Sequence, residues 1–456
     1  MKRDFEAELI VRGQRVVLEC GVRPASLHIR DGVIVRIGEW GEIGPSQQLF
    51  DAGECAILPG IVDLHAHINE PGRSEWEGFS AATRSAAAGG ITTLVDMPLN
   101  SIPPTVNSDA LREKMDAAKD KMWTDIGFHG GLVPGNAGDL PDLLRAGVVG
   151  LKCFLCDSGV GEFPRVSLDQ LSAAFERVAH LDPWLLVHAE SAEVLDAARG
   201  AVENLDSWTY HDYLRSRPDE AEYAAIESLI RIAEESRARV HIVHLSSAAA
   251  LPLITAAKAR HLRISAETCP HYLTFAAEAI AAGAADFKCA PPIRSAANRE
   301  GLWNGLRDGV IDFIASDHSP CLPELKLNRD FSQAWGGIAS LQCSLAAVWT
   351  EARRRGFALT DVARWMCRRP SELGRLPAKG TIAAGKDADL ICFAPDESFT
   401  LEPERLFHRH KLTPYRGRAM FGIVEQTFVR GRLIYDRGSW ANEPQGRIVR
   451  ASPRPS

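Results

Sequence analysis

Residues 184–200, WLLVHAESAEVLDAARG, decide the fold of this chain, because an apolar strand-like run is followed at once by an amphipathic helical stretch. The same strand-then-helix texture recurs along the middle of the chain, and repeated βα units of this kind predict a parallel sheet. Eight such runs can be counted: GIVDLHAH, TTLVDMP, DIGFHGG, VGLKCFL, WLLVHAE, VHIVHLS, LRISAET and DFIASDH. Eight units are the complement of a (β/α)8 barrel, so we predict an α/β protein with a TIM-like barrel.

The two ends of the chain have a different texture, in which short alternating apolar segments are separated by turns that contain glycine. Residues 1–57 include ELIVRGQRVVL and SLHIRDGVIVRIG, and residues 377–456 include DLICFAP and GIVEQTFVRGRLIYDRG. Such alternation is typical of antiparallel strands. We therefore predict that residues 58–376 form the barrel and that the two end segments together build a small β-sandwich domain beside it.

The composition of the 456 residues, with 45% hydrophobic and 24% charged side chains, is that of an ordinary globular protein. A formal charge of -7 without a basic cluster argues against a nucleic-acid binder and favours a small-molecule substrate. No stretch approaches about 18 uninterrupted apolar residues, and acidic residues stand where a signal peptide needs an apolar core. The ten cysteines lack the spacing of a disulfide framework. We expect a cytoplasmic protein that does not bind membranes.

Five side chains that commonly bind metals lie at the ends of the predicted strands. His65 and His67 follow an apolar run, and residues two apart on a strand point to the same side. His188, His244 and Asp317 end three further runs. Because catalytic groups of such a barrel lie at the carboxyl ends of its strands, the five side chains are expected to converge on one metal site.

Lys152 lies late in the run VGLKCFL, where a charged ammonium is costly unless it has a partner. A nearby carboxylate would explain this lysine without any metal. An ammonium itself cannot bind a metal ion, because it has no free lone pair. If CO2 converted the amine to a carbamate, the same position would present two carboxylate-like oxygens suited to bridging two divalent cations.

These six positions, in this order on successive strand ends, resemble the cyclic amidohydrolase family of dihydroorotases, hydantoinases and allantoinases, and the resemblance covers essentially the whole chain. It implies a homotetramer whose subunits each contain two zinc ions bridged by N6-carboxylated Lys152. His65, His67 and Asp317 would bind one ion, and His188 and His244 the other. The implied reaction is hydrolytic opening of a cyclic amide by a hydroxide that bridges the metals. Asp317 would carry the proton from this water to the departing ring nitrogen.

Three positions bear on the choice of substrate within this family. Dihydroorotases carry an arginine two residues after the second histidine and a histidine four residues after the catalytic aspartate, whereas this chain has Asn69 and Cys321. Hydantoinases and dihydropyrimidinases place a tyrosine five residues after the bridging lysine, where this chain has Asp157. A carboxylate-bearing ring would therefore lack its usual partners, and the oxyanion would lack its usual tyrosine.

Allantoinases are similar to this chain in several separate places. The shared motifs are HINEPGRSEWEGF, MPLNSIPPTVN, GLKCFL, KCAPPIR, WGGIASLQ and HRHKLTPYRGR. This similarity implies hydrolysis of allantoin to allantoate in purine degradation. Allantoin is neutral and carries a ureido arm, so amide and backbone groups suit it better than an arginine. Asn100, Gly336 and Gly337 are the predicted substrate contacts.

Two other functions remain open from the sequence. One is a hydantoinase or dihydropyrimidinase of broader range, and the other is a non-catalytic scaffold of the same fold, against which the intact ligand positions argue. Three further histidines, His129, His271 and His318, are interpreted as supporting or packing residues, with a substrate contact as the alternative for the last two. Cys153 and Cys156 are interpreted as packing residues rather than a redox or zinc motif.

Overall fold

The computed structural model describes residues 7–44, 46–327 and 330–452. The chain begins with five strands: β1 (Ala7–Leu18), β2 (Gly21–Arg30), β3 (Val33–Gly38), β4 (Ser46–Asp51) and β5 (Ala56–Pro59). Strands β1, β2 and β3 are antiparallel neighbours, while β4 and β5 both run parallel to β1. The alternating apolar residues of these strands, among them Val11, Leu27 and Ile57, form a small core together with residues from the C-terminal segment such as Leu390 and Phe428.

The next strands form the barrel: β6 (Ile61–Ala66), β7 (Ile91–Asp96), β8 (Asp125–Phe128), β9 (Gly130–Gly131), β10 (Leu151–Phe154), β11 (Trp184–His188), β12 (Arg239–Ile242), β13 (Ile264–Thr268) and β14 (Phe313–Ile314). All neighbouring pairs are parallel. Strands β8 and β9 form one predicted strand that is interrupted at His129: β8 pairs with β7, and β9 with β10. A parallel bridge between Ala66 and His318 closes the circle. The predicted (β/α)8 barrel is confirmed.

Helices cover the outside of the barrel and its connections: α1 (Phe79–Ala88), α2 (Ser108–Ala118), α3 (Leu140–Arg145), α4 (Leu168–Val178), α5 (Ala192–Gly200), α6 (Tyr210–Ser216), α7 (Asp219–Ser236), α8 (Leu251–Ala259), α9 (Pro270–Thr274), α10 (Ala296–Arg307), α11 (Glu324–Leu327), α12 (Ser344–Arg354), α13 (Leu359–Ala363) and α14 (Arg369–Leu373). Several of these helices begin at a residue whose side chain caps the first turn. Ser167 caps α4 in a capping box with Gln170, and Ser191 caps α5. Within the described residues, no helix is both long and apolar enough to cross a membrane.

The chain ends with four strands: β15 (Leu390–Thr400), β16 (Ala419–Val429), β17 (Arg432–Asp436) and β18 (Ser439–Trp440). Strand β15 pairs antiparallel with β5, so the first and last segments of the chain share one nine-stranded sheet. This shared sheet is the small β domain that the alternating patterns at both ends predict.

A buried ion cluster connects this sheet to the barrel. Lys379 Nζ lies 2.5 Å from a carboxylate oxygen of Asp125, the first residue of β8, and 2.8 Å from one of Asp389, which precedes β15. Arg430 also contacts Asp125. Because β8 begins at Asp125, the cluster lies at the amino ends of the barrel strands, which is the face that serves stability in this fold.

Candidate metal centre

Six side chains converge at the carboxyl ends of the barrel strands, and all of them line one cavity of ≈ 570 Å³. His65 and His67 lie at the end of β6 and just beyond it, Lys152 lies within β10, and His188 ends β11. The other two follow β12 and β14, at His244 and Asp317. None of the six is more than 6% exposed. The structure therefore brings together every predicted metal ligand.

The closest group within this set consists of His65, His67 and Asp317. Their potential ligand atoms all lie within 4.8 Å of one another. One Asp317 carboxylate oxygen is 3.2 Å from His65 Nε2 and 3.5 Å from His67 Nε2. The ring of His244 lies between two other histidines, with centroid distances of 5.4 Å to His65 and 4.6 Å to His188. His65, His67 and Asp317 are the three residues that the resemblance assigns to one metal ion.

The polar atoms in the centre test whether metal ions fit these residues. His244 Nδ1 and Lys152 Nζ are buried and have no hydrogen-bond partner among the described residues, and buried His65 Nε2 forms no hydrogen bond there despite lying 3.2 Å from the Asp317 carboxylate. A buried polar atom without a hydrogen-bond partner lowers the stability of the fold, so three such atoms in one cavity need an explanation. Imidazole nitrogens together with a carboxylate are a donor set that zinc and similar divalent cations accept. The residues present therefore fit a metal centre.

Lys152 is the unusual member of the centre. It is 1% exposed, and its ammonium nitrogen lies 4.5 Å from the centroid of the Phe154 ring. Burial lowers the pKa of Lys152 to about 8, although the charge of Asp317 acts in the opposite direction. Within the part of the chain that the structure describes, no carboxylate forms the ion pair that would have explained this lysine without a metal. A lower pKa favours the free amine, and it is the free amine that reacts with CO2.

A buried carboxylate that the sequence analysis missed orients His65. Glu267, in β13, contacts His65 Nδ1 and accepts a 3.0 Å hydrogen bond from His241 Nε2. Burial opposes ionisation of Glu267, but the charge of His65 and the hydrogen bonds from both histidines outweigh it and hold its pKa well below the usual range. With Nδ1 bound to Glu267, His65 presents Nε2 to the cavity.

Glu190 has the same relation to His188. Its carboxylate lies 2.6 Å from His188 Nε2 and forms an ion pair with Arg217. Burial opposes ionisation, but the Arg217 charge and the hydrogen bond from His188 hold the pKa of Glu190 down to about 2. His188 therefore has Nδ1 left for the cavity. The HAE motif, with the two side chains on one side of the chain, is a signal that could have identified Glu190.

The predicted substrate contacts also line the cavity, but with different availability. Asn100 Nδ2 lies 3.4 Å from His67 Nδ1, so this amide contacts a predicted ligand. The Gly337 amide donates to the Lys288 carbonyl at 2.8 Å and is not available to a substrate. Asn69 is turned away, because its side-chain amide donates to the Pro320 carbonyl at 3.2 Å.

The remaining histidines and cysteines of interest are buried. His129 Nε2 donates a 2.9 Å hydrogen bond to the Leu64 carbonyl. Neither ring nitrogen of His271 has a hydrogen-bond partner among the residues that the structure describes, and the ring lies with Cys269 beside Asp317. Cys153 and Cys156 are free thiols, and Cys156 approaches His188 and Glu190.

The chain is similar to known proteins over most of its length. Residues 56–434 match the model of the amidohydrolase family. The chain is 49% identical over 451 residues to the allantoinase of Streptomyces avermitilis, covering 98% of this chain and 100% of that protein. It is 43% identical over 461 residues to the allantoinase of Arabidopsis thaliana, covering 97% of this chain and 91% of that protein. A solved L-hydantoinase (dihydropyrimidinase) from Arthrobacter aurescens is similar with a TM-score of 0.92 and 29% identity, over 97% of this chain and 100% of that one.

Proposed function

The chain belongs to the amidohydrolase family, and from this premise we propose that it hydrolyses the hydantoin-ring amide of allantoin to give allantoate, in purine degradation. The observation that carries the proposal is the identity of 49% to the Streptomyces avermitilis allantoinase over the full length of that protein. Allantoinases of Arabidopsis thaliana and Saccharomyces cerevisiae are similar over 97% and 89% of this chain. The reaction class is hydrolysis of a carbon–nitrogen bond in a cyclic amide.

The metal centre is proposed to hold two zinc ions. His65, His67 and Asp317 would hold one ion, His188 and His244 the other, and a carbamate on Lys152 would contact both. When bound, the metal pair supplies Lewis-acid polarisation of the amide carbonyl and lowers the pKa of water towards neutrality. The buried nitrogens of His65, His244 and Lys152, which form no hydrogen bond among the described residues, support this assignment.

The side chains around the centre supply orientation and proton transfer. Glu267 and Glu190 hold His65 and His188 in one tautomer and one ring orientation. Asp317 takes the proton of the attacking water and delivers it to the ring nitrogen as the carbon–nitrogen bond breaks. The buried position of Asp317 keeps bulk water away from this transfer.

The polar groups of the cavity favour a neutral ring over a carboxylate-bearing one. Asn69 stands where dihydroorotases carry an arginine, and its amide is bound to the Pro320 carbonyl. Asn100 and the backbone at Gly336 lie in the lining and offer amide groups of the kind that a ureido arm can bind. Gly337 contributes through its carbonyl only, because its amide is bound to Lys288.

A hydantoinase or dihydropyrimidinase is the second candidate, because the Arthrobacter aurescens L-hydantoinase has the same fold at 29% identity. The test is a panel of allantoin, hydantoin, dihydrouracil and dihydroorotate with protein reconstituted with zinc in bicarbonate. Dominant turnover of allantoin is expected. Preference for hydantoin or dihydrouracil would keep the metal chemistry and overturn the substrate assignment. A protein without stoichiometric metal and without turnover would be a scaffold.

The assembly and location of the protein are part of the proposal. A homotetramer is proposed on the family resemblance alone, and light scattering of the purified protein tests it. A cytoplasmic location is proposed because none of the ten cysteines, all within the described residues, forms a disulfide, which suits a reducing compartment. Fractionation of the source cells with detection of the protein tests the location.

A further inference from the structure

The motif HRHKLTPYRGR, residues 408–418, lies in the connection between β15 and β16 of the small domain. It has no role in the reaction proposed above. The structure places this motif against two loops of the barrel face. The Arg409 amide donates to the Glu77 carboxylate at 3.2 Å, and Thr413 Oγ1 donates to the Ala339 carbonyl at 2.7 Å. The motif therefore reaches from the β domain to the loops beside the metal centre.

His318 connects these loops to the metal centre. Its Nδ1 accepts hydrogen bonds from the backbone amides of Ser340 at 3.0 Å and Leu341 at 3.4 Å. Its carbonyl accepts the amide of His67 at 2.7 Å. One residue thus joins the strand that carries the first histidine pair to the loop that follows Gly337.

The ring of His318 is enclosed by two polar side chains. Because its Nδ1 accepts two amides, the proton must lie on Nε2, which faces Glu77 Oε1 at 3.8 Å. His408 packs against the same ring, with centroids 4.9 Å apart, and its Nε2 accepts the Gln342 amide at 3.4 Å. All three side chains are fully buried, with 0% exposure. Glu77 thus places a buried carboxyl group beside the N–H of one imidazole and close to a second.

Asp317, directly before His318, has a backbone that needs such support. Its φ of 44° lies in the left-handed region, which side chains other than glycine adopt only when the surroundings hold them there. The amide of His318 donates to Ser316 Oγ at 3.1 Å, which fixes the peptide between Asp317 and His318. Movement of the His318 ring would therefore be transmitted to the Asp317 carboxylate.

We propose that Glu77, His318 and His408 form a positioning unit through which the late motif of the small domain holds Asp317 in its reactive orientation. Among the described residues, no hydrogen bond or ion pair joins Glu77 or His408 to a predicted metal ligand. The two side chains enclose the His318 ring, the ring accepts the amides of Ser340 and Leu341, and the His318 carbonyl accepts the amide of His67. The inference rests on the proposed role of Asp317 in proton transfer.

The test compares His408→Ala and His408→Gln with His410→Ala in the full-length, metal-loaded protein. His410 belongs to the same motif and bonds the Glu75 carbonyl at 2.8 Å, but it makes no hydrogen bond or ring contact with His318. We expect kcat per bound metal to fall between about 10- and 100-fold in His408→Ala with KM within about twofold, because misplacing a catalytic group slows the reaction without weakening binding. His408→Gln, which keeps an acceptor for the Gln342 amide, should recover part of the loss.

A second measurement does not depend on turnover. In protein loaded with Co²⁺, the visible absorption bands report the arrangement of ligands that include Asp317, and they should change in His408→Ala and stay unchanged in His410→Ala. If the wild type does not turn over allantoin, the proposed function fails while this spectrum still tests the positioning unit. Unchanged bands and an unchanged kcat per metal in His408→Ala, even with a lower unfolding temperature, would show a structural role only. An equal loss in His410→Ala would also overturn the proposal.

Discussion

Lys152 is the residue whose chemistry decides most about the centre. Replacement by alanine removes the nitrogen that a carbamate would require, so Lys152→Ala should lose both the metal pair and the hydrolysis of allantoin. Short carboxylic acids added to this variant should restore part of the activity, because they can supply two oxygens in the space that the side chain leaves. Metal analysis and initial rates, with and without propionate, check this. Full activity with two metals in Lys152→Ala would rule out the bridging role.

The carboxylates behind the histidines give a second prediction at the same scale. Glu190→Gln removes the charge that orients His188, and it should lower metal affinity by about 10- to 100-fold. Glu222→Gln is the matched control, because Glu222 is also a buried carboxylate paired with an arginine, Arg294, at 2.9 Å, but it contacts no predicted ligand. Both variants should lower the unfolding temperature, and only the first should weaken metal binding in competition with a chelator. Equal metal affinity in the two variants would contradict the orienting role of Glu190.

Part of this site could be predicted from the sequence for a physical reason. The six ligand positions are visible because each follows its own apolar run, and parallel strands bring their carboxyl ends together. Glu267 was not predicted, because its link to His65 joins residues far apart in the chain and no local pattern marks it. The blocked amide of Gly337 was missed for the same reason, since its acceptor is the carbonyl of Lys288.

At the scale of elements, the alternation of strands and helices predicts the barrel correctly, whereas strand lengths depend on tertiary contacts. The run DFIASDH predicts a full strand, but β14 covers only Phe313–Ile314. The chain leaves strand geometry where Asp317 takes a positive φ and His318 bonds to the neighbouring loop. Likewise, the strand DIGFHGG is interrupted at His129, where the pairing changes from β7 to β10. These contacts join residues that are distant in the chain, so the local sequence does not predict them.

The loop with two glycines, Gly336 and Gly337, provides a prediction at this scale. A methyl group on Gly337 would overlap the Ser319 carbonyl and lie 2.7 Å from Ser319 Oγ, whereas one on Gly336 would have its nearest neighbour, the Ala290 amide nitrogen, at 4.0 Å. Gly337→Ala should therefore lower the free energy of unfolding by about 1–3 kcal/mol, and Gly336→Ala by about 0.5 kcal/mol or less. Urea unfolding of both variants measures this difference. Equal stability would mean that the loop does not pack against Ser319 as described.

At the scale of the whole molecule, the question is how a small sheet built from both chain ends stays attached to the barrel. The cluster around Lys379 is one answer, since its cation lies between Asp125 of the barrel and Asp389 of the sheet segment, with Asp387 a further 2.8 Å contact. Burial opposes the charge on Lys379, but Asp389 and Asp125 outweigh it and hold the pKa of the lysine above its usual value. The cluster lies at the opposite end of the barrel from the metal centre, so stability and catalysis should separate.

Lys379→Met tests this separation. Without the ammonium, carboxylates of Asp125 and Asp389 that are nearly fully buried face each other. Asp125 then keeps the guanidinium of Arg430, and Asp389 keeps, among the described residues, only the backbone amide of Arg430, at 2.8 Å. Removing one partner of a buried ion pair costs about 3–5 kcal/mol, so the free energy of unfolding should fall by that order. The kcat of the folded, metal-loaded enzyme should remain that of the wild type, because the carboxyl ends of the strands are untouched. Urea unfolding and initial rates at a temperature where the variant is folded measure the two effects.

Arg112→Met, which breaks an exposed ion pair with Asp109, is the control and should lower the free energy of unfolding by about 0–1 kcal/mol. A loss of kcat without a loss of stability in Lys379→Met would mean that the two ends of the barrel are coupled and that this cluster does more than attach the sheet.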